Sequence, residues 1–284
     1  MVELKGRKCG ADLMESSICL AGRSFDAGKE IIDTLMQTDF SSLSLDSPGC
    51  DGEIYFSVGE KEAIVKRVKI SPLEGFDPEK LALFELQSCL PEDPGRYYFE
   101  SCRFDGRPER LAVAYPRNII DNKINLFESK IARPGGFRLR ALALSAGFQR
   151  YCRLAGGELI CLLDVNSDEI TYCFLDDKHP VKTGSLFYEN HRLPEKSFLP
   201  SEALIDLAAT LQYQTSLLFQ AGFSVPLSLI VLSGMKADEE LAAQIEKNTR
   251  VKTILPSIRK ELFRSDLSAI AHKYLVSLGL TVDL

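Results

Sequence analysis

Strand-like and helix-like segments alternate along both halves of this chain, and this alternation restricts the fold more than any other feature of the sequence. Short apolar segments typical of strands are each followed by longer segments with apolar residues at helical spacing. An apolar run at 158–164 ends in an acid, and 170–175 is its predicted antiparallel partner. Because strands that alternate with helices form layered sheets, the pattern predicts an α/β fold and excludes a sandwich or a bundle.

Local signals place the individual elements. Asp77-Pro78 is predicted to open a helix, because Asp can cap it and Pro at the first helical position loses no hydrogen bond. Ser201 is predicted to cap a long helix and Asp238 to begin another, and Gly156-Gly157 is predicted to separate the two halves. The other predicted elements are a strand within 8–21, a helix over 26–36, a hairpin with strands at 53–58 and 63–70, strands at 97–103 and 110–115, a helix over 117–132, strands at 227–232 and 251–255, and a final helix over 266–278.

Charge and hydropathy exclude several classes of protein. The net charge is −6, so the chain lacks the basic excess of a nucleic-acid-binding protein. No apolar run reaches the ~18 residues of a membrane span. The N-terminal residues also lack the apolar core of a signal peptide. We therefore expect a cytoplasmic protein that binds no nucleic acid and has no membrane span of its own.

The cysteines and histidines do not form a metal-binding pattern. None of the eight cysteines is spaced as C-x-x-C, and the three histidines lie near none of them at finger-like spacing. The sequence also contains no G-x-S-x-G elbow, no P-loop and no dinucleotide fingerprint after a strand. We expect reduced cysteines that act as small core residues, no metal and no catalytic residue.

Several short motifs follow one another along nearly the whole chain. They are Gly10-Ala11-Asp12-Leu13 followed by Ser16-Ser17-Ile18, the strand Ala63–Ile70, the segment Phe84–Pro91 (FELQSCLP), the strand Leu159–Asp164, the tetrapeptide Val231-Leu232-Ser233-Gly234 and the closing segment Ala271–Gly279. In this order they resemble motifs of the PilM family, actin-like type IV pilus assembly proteins with relatives in type II secretion and competence systems. The most specific match is FELQSCLP, which resembles the aromatic-Glu helix of that family's inserted subdomain.

The resemblance implies a two-lobed actin-like fold, in which a ribonuclease-H-like unit is duplicated. The first lobe would span 1–155 and contain a small inserted α/β subdomain at about 72–135. The second lobe would span 156–284, and its final helix would pack back on the first lobe.

The resemblance also indicates where a nucleotide would bind. In actin-like ATPases two hairpin loops wrap the phosphates with backbone N–H groups, and an acid at each loop positions Mg²⁺ through water. The corresponding residues here are Asp12, Asp164, Ser233 and Gly234. Met14, Asn166 and Met235 stand where the family has glycine, and Asp168 and Glu169 add carboxylates that repel a triphosphate. We therefore expect no bound cofactor, with ATP and Mg²⁺ disfavoured.

The function that the resemblance implies is a non-catalytic adaptor in the platform of a type IV pilus or type II secretion-like machine. It would lie at the inner membrane and bind other platform proteins and the short cytoplasmic N-terminal peptide of a PilN-like bitopic partner. Peptide capture needs grooves and strand edges rather than phosphate-binding glycines. The predicted partner-binding residues are Phe84, Glu85, Leu90, Tyr97, Tyr98 and Phe99.

Two other functions remain open for such a chain. One is an ATP-binding switch of the same fold that regulates assembly of the same machine. The other is a sugar or acid kinase of the same superfamily, which would need an intact second phosphate loop. The residues Asn166-Ser167-Asp168-Glu169 argue against the kinase, because they place carboxylates where the phosphates would lie.

Overall fold

The computed structural model describes residues 8–13, 18–26, 29–38, 53–70, 77–103, 109–128, 134–153, 159–167, 169–187, 199–223 and 226–282. Three β-sheets and six α-helices lie within these residues. No helix in these ranges is both long and apolar enough to cross a membrane.

The first sheet is built from five strands of the N-terminal half. They are β1 (Lys8–Leu13), β2 (Ile18–Asp26), β3 (Lys29–Thr38), β4 (Glu53–Val58) and β8 (Pro134–Leu139). Their order is β3-β2-β1-β4-β8. The first three strands form an antiparallel meander, whereas β4 pairs parallel with β1 and β8 pairs parallel with β4.

The second sheet repeats this arrangement in the C-terminal half. Its strands are β9 (Leu159–Val165), β10 (Glu169–Asp176), β11 (His179–Phe187), β12 (Leu227–Ser233) and β13 (Thr253–Ile254). Their order is β11-β10-β9-β12-β13, again with an antiparallel meander followed by two parallel strands. The same order and the same strand directions in both sheets make the fold a structural duplication.

A small third sheet is inserted between β4 and β8 of the first sheet. It consists of β5 (Ile64–Lys69), β6 (Tyr97–Arg103) and β7 (Glu109–Pro116) in the order β5-β7-β6. Helix α1 (Pro78–Gln87) covers one face of this sheet. Because β5 belongs to the small sheet, the inserted unit begins near residue 64 rather than at the predicted residue 72.

The remaining helices pack the layers together. Helices α3 (Arg140–Tyr151) and α6 (Leu275–Leu280) share one apolar cluster with both five-stranded sheets, so they lie between them. Helices α4 (Ser201–Gln220) and α5 (Glu239–Thr249) cover the opposite face of the second sheet. Helix α2 (Arg117–Glu128) packs against β7 and β8.

The helix predicted over 26–36 is wrong, because most of that segment is β3. Ile31, Ile32 and Leu35 suit a helical stripe, but their spacing does not exclude a strand. In the fold, residues 29–38 pair with β2 along its whole length, with one register shift at Gly22/Arg23. Backbone pairing across the sheet therefore overrides the local periodicity.

The hairpin predicted from 53–58 and 63–70 is also wrong. Strand β4 lies in the first sheet beside β1, whereas β5 lies in the small sheet beside β7. A 3-10 turn at Glu60–Glu62 separates them, and the Glu62 carboxylate accepts a hydrogen bond from the Gly59 backbone N–H at 2.9 Å. This turn redirects the chain out of one sheet and into the other.

The predicted caps have mixed outcomes. Asp77 and Asp238 do cap α1 and α5, since their side chains accept from the backbone N–H groups of Glu79 and Leu241 at 2.9 and 2.8 Å. Ser201 is the first residue of α4 rather than its cap, and the cap position is Pro200, with no side-chain bond.

The final helix is shorter than predicted. Two 3-10 segments, Ser265–Ala269 and Ala271–Tyr274, precede the six-residue α6. Gly156-Gly157, the predicted boundary between the two halves, lies outside the described residues.

Small residues let α3, α6 and β1 approach one another closely. A methyl group added at Gly147 of α3 would lie 2.0 Å from the Leu275 carbonyl oxygen. One added at Gly279 of α6 would lie 1.7 Å from the Ala143 carbonyl oxygen, and one at Gly10 of β1 would lie 1.8 Å from that of Ser277. Backbone therefore contacts backbone at the centre of the molecule, where no side chain fits.

We expect Gly147→Ala to destabilise the protein by about 2 kcal/mol or more, because the methyl group can be accommodated only if α3 and α6 move apart. Thermal or urea unfolding of the full chain measures the change. Gly59→Ala is the matched control, since a methyl group there has no neighbour nearer than the Glu62 carboxylate at 3.5 Å. Equal stability of the two variants would contradict the close packing.

Candidate functional site

The acids predicted to bind a nucleotide lie at corresponding ends of the two duplicated sheets. Asp12 is near the end of β1 and Asp164 is near the end of β9, the first strand of each sheet. Ser233 ends β12 and is followed by Gly234. All three polar side chains are buried. The fold therefore brings Asp164, Ser233 and Gly234 together, with Asp12 across the cleft between the lobes.

A buried arginine joins the two sides of this cleft. The guanidinium of Arg140, at the start of α3, donates from Nε to Oδ1 of Asp12 at 3.0 Å and from Nη1 to Oε2 of Glu169. Asp12 also accepts a hydrogen bond of 2.7 Å from the Ser57 hydroxyl. Since Asp12 belongs to the first sheet and Glu169 to β10 of the second, Arg140 forms one ion-pair network across both lobes.

The loops on the second-lobe side are bound to one another. Asn166 donates from its side-chain amide to Asp164 at 2.6 Å, and its amide oxygen accepts from the Met235 backbone N–H at 3.1 Å. The Ser233 hydroxyl lies 3.0 Å from Asp164 Oδ1, and the Lys236 N–H donates to a β9 carbonyl at 3.0 Å. Backbone N–H groups that could face a phosphate or a base are thus engaged with protein acceptors.

Gly234 is required by the backbone at this point. Its φ of +97° lies in the left-handed region, and a Cβ there would be 2.4 Å from the Val165 carbonyl oxygen. The close approach brings β12 and β9 together below Asp164. Glycine therefore has a structural role here that does not depend on a ligand.

Burial raises the pKa of two carboxyl groups around the arginine. Glu60 accepts from the Ala141 backbone N–H at 2.9 Å, and burial together with repulsion by Glu169 raises its pKa to about 8. Burial and the nearby Asp12 raise the pKa of Asp164 to about 7. Burial alone would lower the pKa of Arg140, but the attraction of Asp12 and Glu169 raises it above its usual value.

Four residues of this cleft were not singled out as ligands by the sequence. Arg140 pairs with an acid 128 positions earlier, and no local motif marks it. No local motif marks Ser57, Glu60 or Glu169 as a site residue either, although Glu169 stands out in the sequence as an extra carboxylate near the second loop.

Met14, Glu15 and Asp168 lie outside the described residues. Within the described ranges, no group of three or more His, Cys, Asp or Glu could hold a metal ion.

The predicted partner-binding residues do not form one surface. Tyr97 and Phe99 point to the face of the small sheet that α1 covers, and Leu90 packs against the same cluster. Tyr98 points to the other face, where its ring lies 5.7 Å from that of Phe137. Successive residues of a strand face opposite sides of the sheet, so this division follows from the pleat.

The exposure of these residues corrects part of the prediction. Tyr97 is only 5% exposed and cannot serve as a surface anchor. Phe84 is 67% exposed on the outer side of α1, and Glu85 beside it is also exposed. The candidate surface is therefore divided between α1 and the strand β6.

A pocket of about 570 Å³ lies at the start of β6, beside the beginning of α2. Its lining includes Arg96, Tyr97, Pro116, Arg117 and Asp121. The Arg117 guanidinium lies 4.2 Å from the centre of the Tyr98 ring, and the Tyr98 hydroxyl donates to Asp121 at 3.2 Å. The sequence prediction missed the arginines, because only the fold brings α2 beside β6.

The duplicated sheets and the cleft between them define an actin-like fold. A chain of the PilM–PilN type IV pilus biogenesis complex shares it with a TM-score of 0.72 at 12% identity, over 96% of this chain and 97% of that chain. The cytoplasmic domain of EpsL, an inner membrane component of the type II secretion system of Vibrio cholerae, shares it with a TM-score of 0.53 at 13% identity, over 98% and 96%.

A Bacteroides thetaiotaomicron protein of unknown function with an actin-like ATPase fold has a TM-score of 0.54 at 13% identity and covers 100% of both chains. At the level of sequence, no protein-family model and no curated protein matches this chain. The actin-like fold implied by the resemblance is thus confirmed.

The pKa of Glu60 predicts a specific pH dependence of stability. Between its ordinary pKa of 4.5 and about 8, the folded protein holds a proton on Glu60 that the unfolded chain has released. Stability from this group is therefore lost as the pH rises through that window. We expect Glu60→Gln to raise the melting temperature at pH 8.5, because its free energy of unfolding should be higher by on the order of 1–3 kcal/mol. Near pH 4.5 the stability of the variant should differ little from that of the wild type.

Glu202→Gln, on the exposed surface of α4, is the matched control and should follow the wild type at every pH. A Glu60→Gln variant that is less stable than the wild type by the same amount from pH 5 to 8.5 would show that Glu60 is ionised in the folded state.

Proposed function

We propose that this chain is a non-catalytic adaptor in the cytoplasmic platform of a type IV pilus or type II secretion-like machine. The observation that carries this proposal is the buried ion-pair network of Asp12, Arg140 and Glu169, which lies where the resemblance would place Mg-nucleotide. The TM-score with the chain from the PilM–PilN complex supports the kind of machine.

The network disfavours the ATP-binding switch. A nucleotide would have to displace Arg140 from two carboxylates or bind beside Asp12, Asp164 and Glu169, which repel phosphates. Separating one partner from a buried ion pair costs about 3–5 kcal/mol, because the other charge remains buried and unpaired. The Asn166 side chain meanwhile engages the Met235 N–H, so the third loop has little freedom to receive a base.

The small sheet offers a place for an extended peptide. Strand β6 is an outer strand that pairs with β7 alone among the described strands, so one row of its backbone groups faces away from the sheet. An extended segment can add to such an edge, and the pocket beside Tyr97 and Arg117 can take one anchoring side chain. An anchor of this kind contributes up to ~2 kcal/mol or more.

The partner that we propose is the short cytoplasmic N-terminal tail of a PilN-like inner-membrane protein. A membrane-tethered partner needs only modest intrinsic affinity, because other contacts in the platform raise its effective concentration. This chain would then stay at the cytoplasmic side of the inner membrane through its partners.

Calorimetry with a synthetic peptide tests the proposal, the peptide being the cytoplasmic N-terminal tail of the proposed PilN-like partner. We expect micromolar binding to the wild type. Arg117→Ala should weaken it roughly tenfold, because the exposed guanidinium lines the pocket. Arg153→Ala, a surface arginine paired with Glu261, is the matched control and should bind as the wild type.

Circular dichroism of each variant verifies folding. Phe84→Ser distinguishes the two candidate surfaces, one on α1 and one on β6. If this variant no longer binds the peptide, the tail binds to α1 instead of β6. No heat at high micromolar tail, or wild-type binding by Arg117→Ala, would contradict the proposed site.

A further inference from the structure

A second pocket, of about 490 Å³, lies where the small sheet, α3 and the second lobe meet. Five of its lining residues carry basic side chains: Arg103, Arg138, Arg150, Lys178 and His179. No Asp or Glu is among the described residues that line it. Leu142 and Val282 supply apolar surface beside the charges. We call it the basic pocket, and it is unusual in a chain whose net charge is −6.

The basic side chains come from four separate parts of the fold. Arg103 ends β6 of the small sheet, Arg138 lies on β8 of the first sheet, and Arg150 lies on α3. Lys178 is in the turn that joins β10 to β11 of the second sheet, and His179 follows it. These residues come from separate parts of the sequence, and the tertiary fold brings them together.

The turn that carries Lys178 is held in an uncommon conformation. Asp177 and Lys178 have φ values of 44° and 73°, in the left-handed region that non-glycine residues rarely adopt. The Gln149 side chain on α3 donates to the Lys178 carbonyl at 2.6 Å and lies 2.9 Å from the Ser145 hydroxyl. Positive φ at both positions is the favoured geometry of a two-residue hairpin turn such as this one, which joins the paired residues Asp176 and His179. The turn and the Gln149 contact together fix the backbone at Lys178.

The described acids that adjoin the pocket without lining it are Asp176 and Asp177, in the same turn as Lys178, and Glu100. The nearest ion-pair partner of Arg138 is Glu100, with 3.9 Å between Nε and Oε1. Glu100 is also bound by the Tyr115 hydroxyl, and burial raises the pKa of its carboxyl group. A concave surface lined by several basic side chains attracts anions.

We propose that the basic pocket binds a compact organic polyanion with two or more phosphate or carboxylate groups. The volume lies within the range of small-molecule sites, and guanidinium groups match both kinds of oxyanion. The apolar side chains suit a ligand with a small non-polar body. A bound polyanion would contact the small sheet, α3 and the second-lobe turn together and would hold the two lobes in their present arrangement.

This proposal does not depend on the adaptor role, because none of the pocket residues lies in the cleft or at the start of β6. Its test uses the full chain and two probes, sodium pyrophosphate and sodium citrate, each titrated at constant ionic strength. Isothermal calorimetry measures the affinity, and the melting temperature with each probe measures stabilisation. We expect saturable binding of at least one probe below millimolar concentration, with a rise in melting temperature.

The double variant Arg103→Gln/Lys178→Gln should weaken binding by roughly tenfold or more, since each lost cation removes a charge-assisted hydrogen bond. The control, Lys80→Gln/Lys247→Gln, makes the same charge change on exposed positions of α1 and α5 and should bind as the wild type. Binding of pyrophosphate alone indicates a phosphate ligand, and binding of citrate alone a carboxylate ligand.

Two results would overturn the proposal. One is the absence of saturable binding of both probes to the wild type. The other is an equal loss of affinity for the probes in the pocket variant and in the surface control. This result would show that anion binding depends only on the overall charge of the protein.

Discussion

The guanidinium of Arg140 lies between carboxylates that belong to the two lobes, and the arrangement of the cleft follows from this buried contact. Asp12 lies near the end of the first strand of one sheet and Glu169 begins the second strand of the other, so the Arg140 side chain contacts both sheets. Taking three charged groups out of water is unfavourable unless they stay paired. The lobes are therefore held at the spacing that keeps Arg140 bonded on both sides, and all three side chains are buried there.

Helix α3 connects this contact to the rest of the molecule. Arg140 is its first residue, Gly147 at its middle allows backbone contact with α6, and Gln149 near its end holds the turn at Lys178. One helix thus contacts the cleft, the shared core and the basic pocket. In a protein that acts by binding partners, a rigid connection of this kind would let ligands at separate sites favour one arrangement of the lobes.

Apolar strand patterns and Asp caps are local signals, and they predicted the layered α/β fold and several strands. The actin-like duplication was implied only by the resemblance of the motifs to a known family. The local signals failed at β3 and at the 53–70 hairpin, where pairing with distant strands decides the structure. In the site, Asp12 and Asp164 could be found from motifs, whereas Arg140 could not, because its role depends on contacts across 128 and 29 positions. The sequence shows that residues 97–99 alternate between the two faces of a strand. It does not show which of these faces α1 covers.

Titration of the wild-type chain with a fluorescent ATP analogue and Mg²⁺ tests the proposed loss of nucleotide binding most directly, because the Arg140 network lies where the resemblance would place the phosphates. We expect no saturation in the low micromolar range and no displacement by unlabelled ATP. Saturable binding with sub-micromolar affinity, displaced by unlabelled ATP, would contradict the proposed loss, since the network would then have to open readily for a nucleotide.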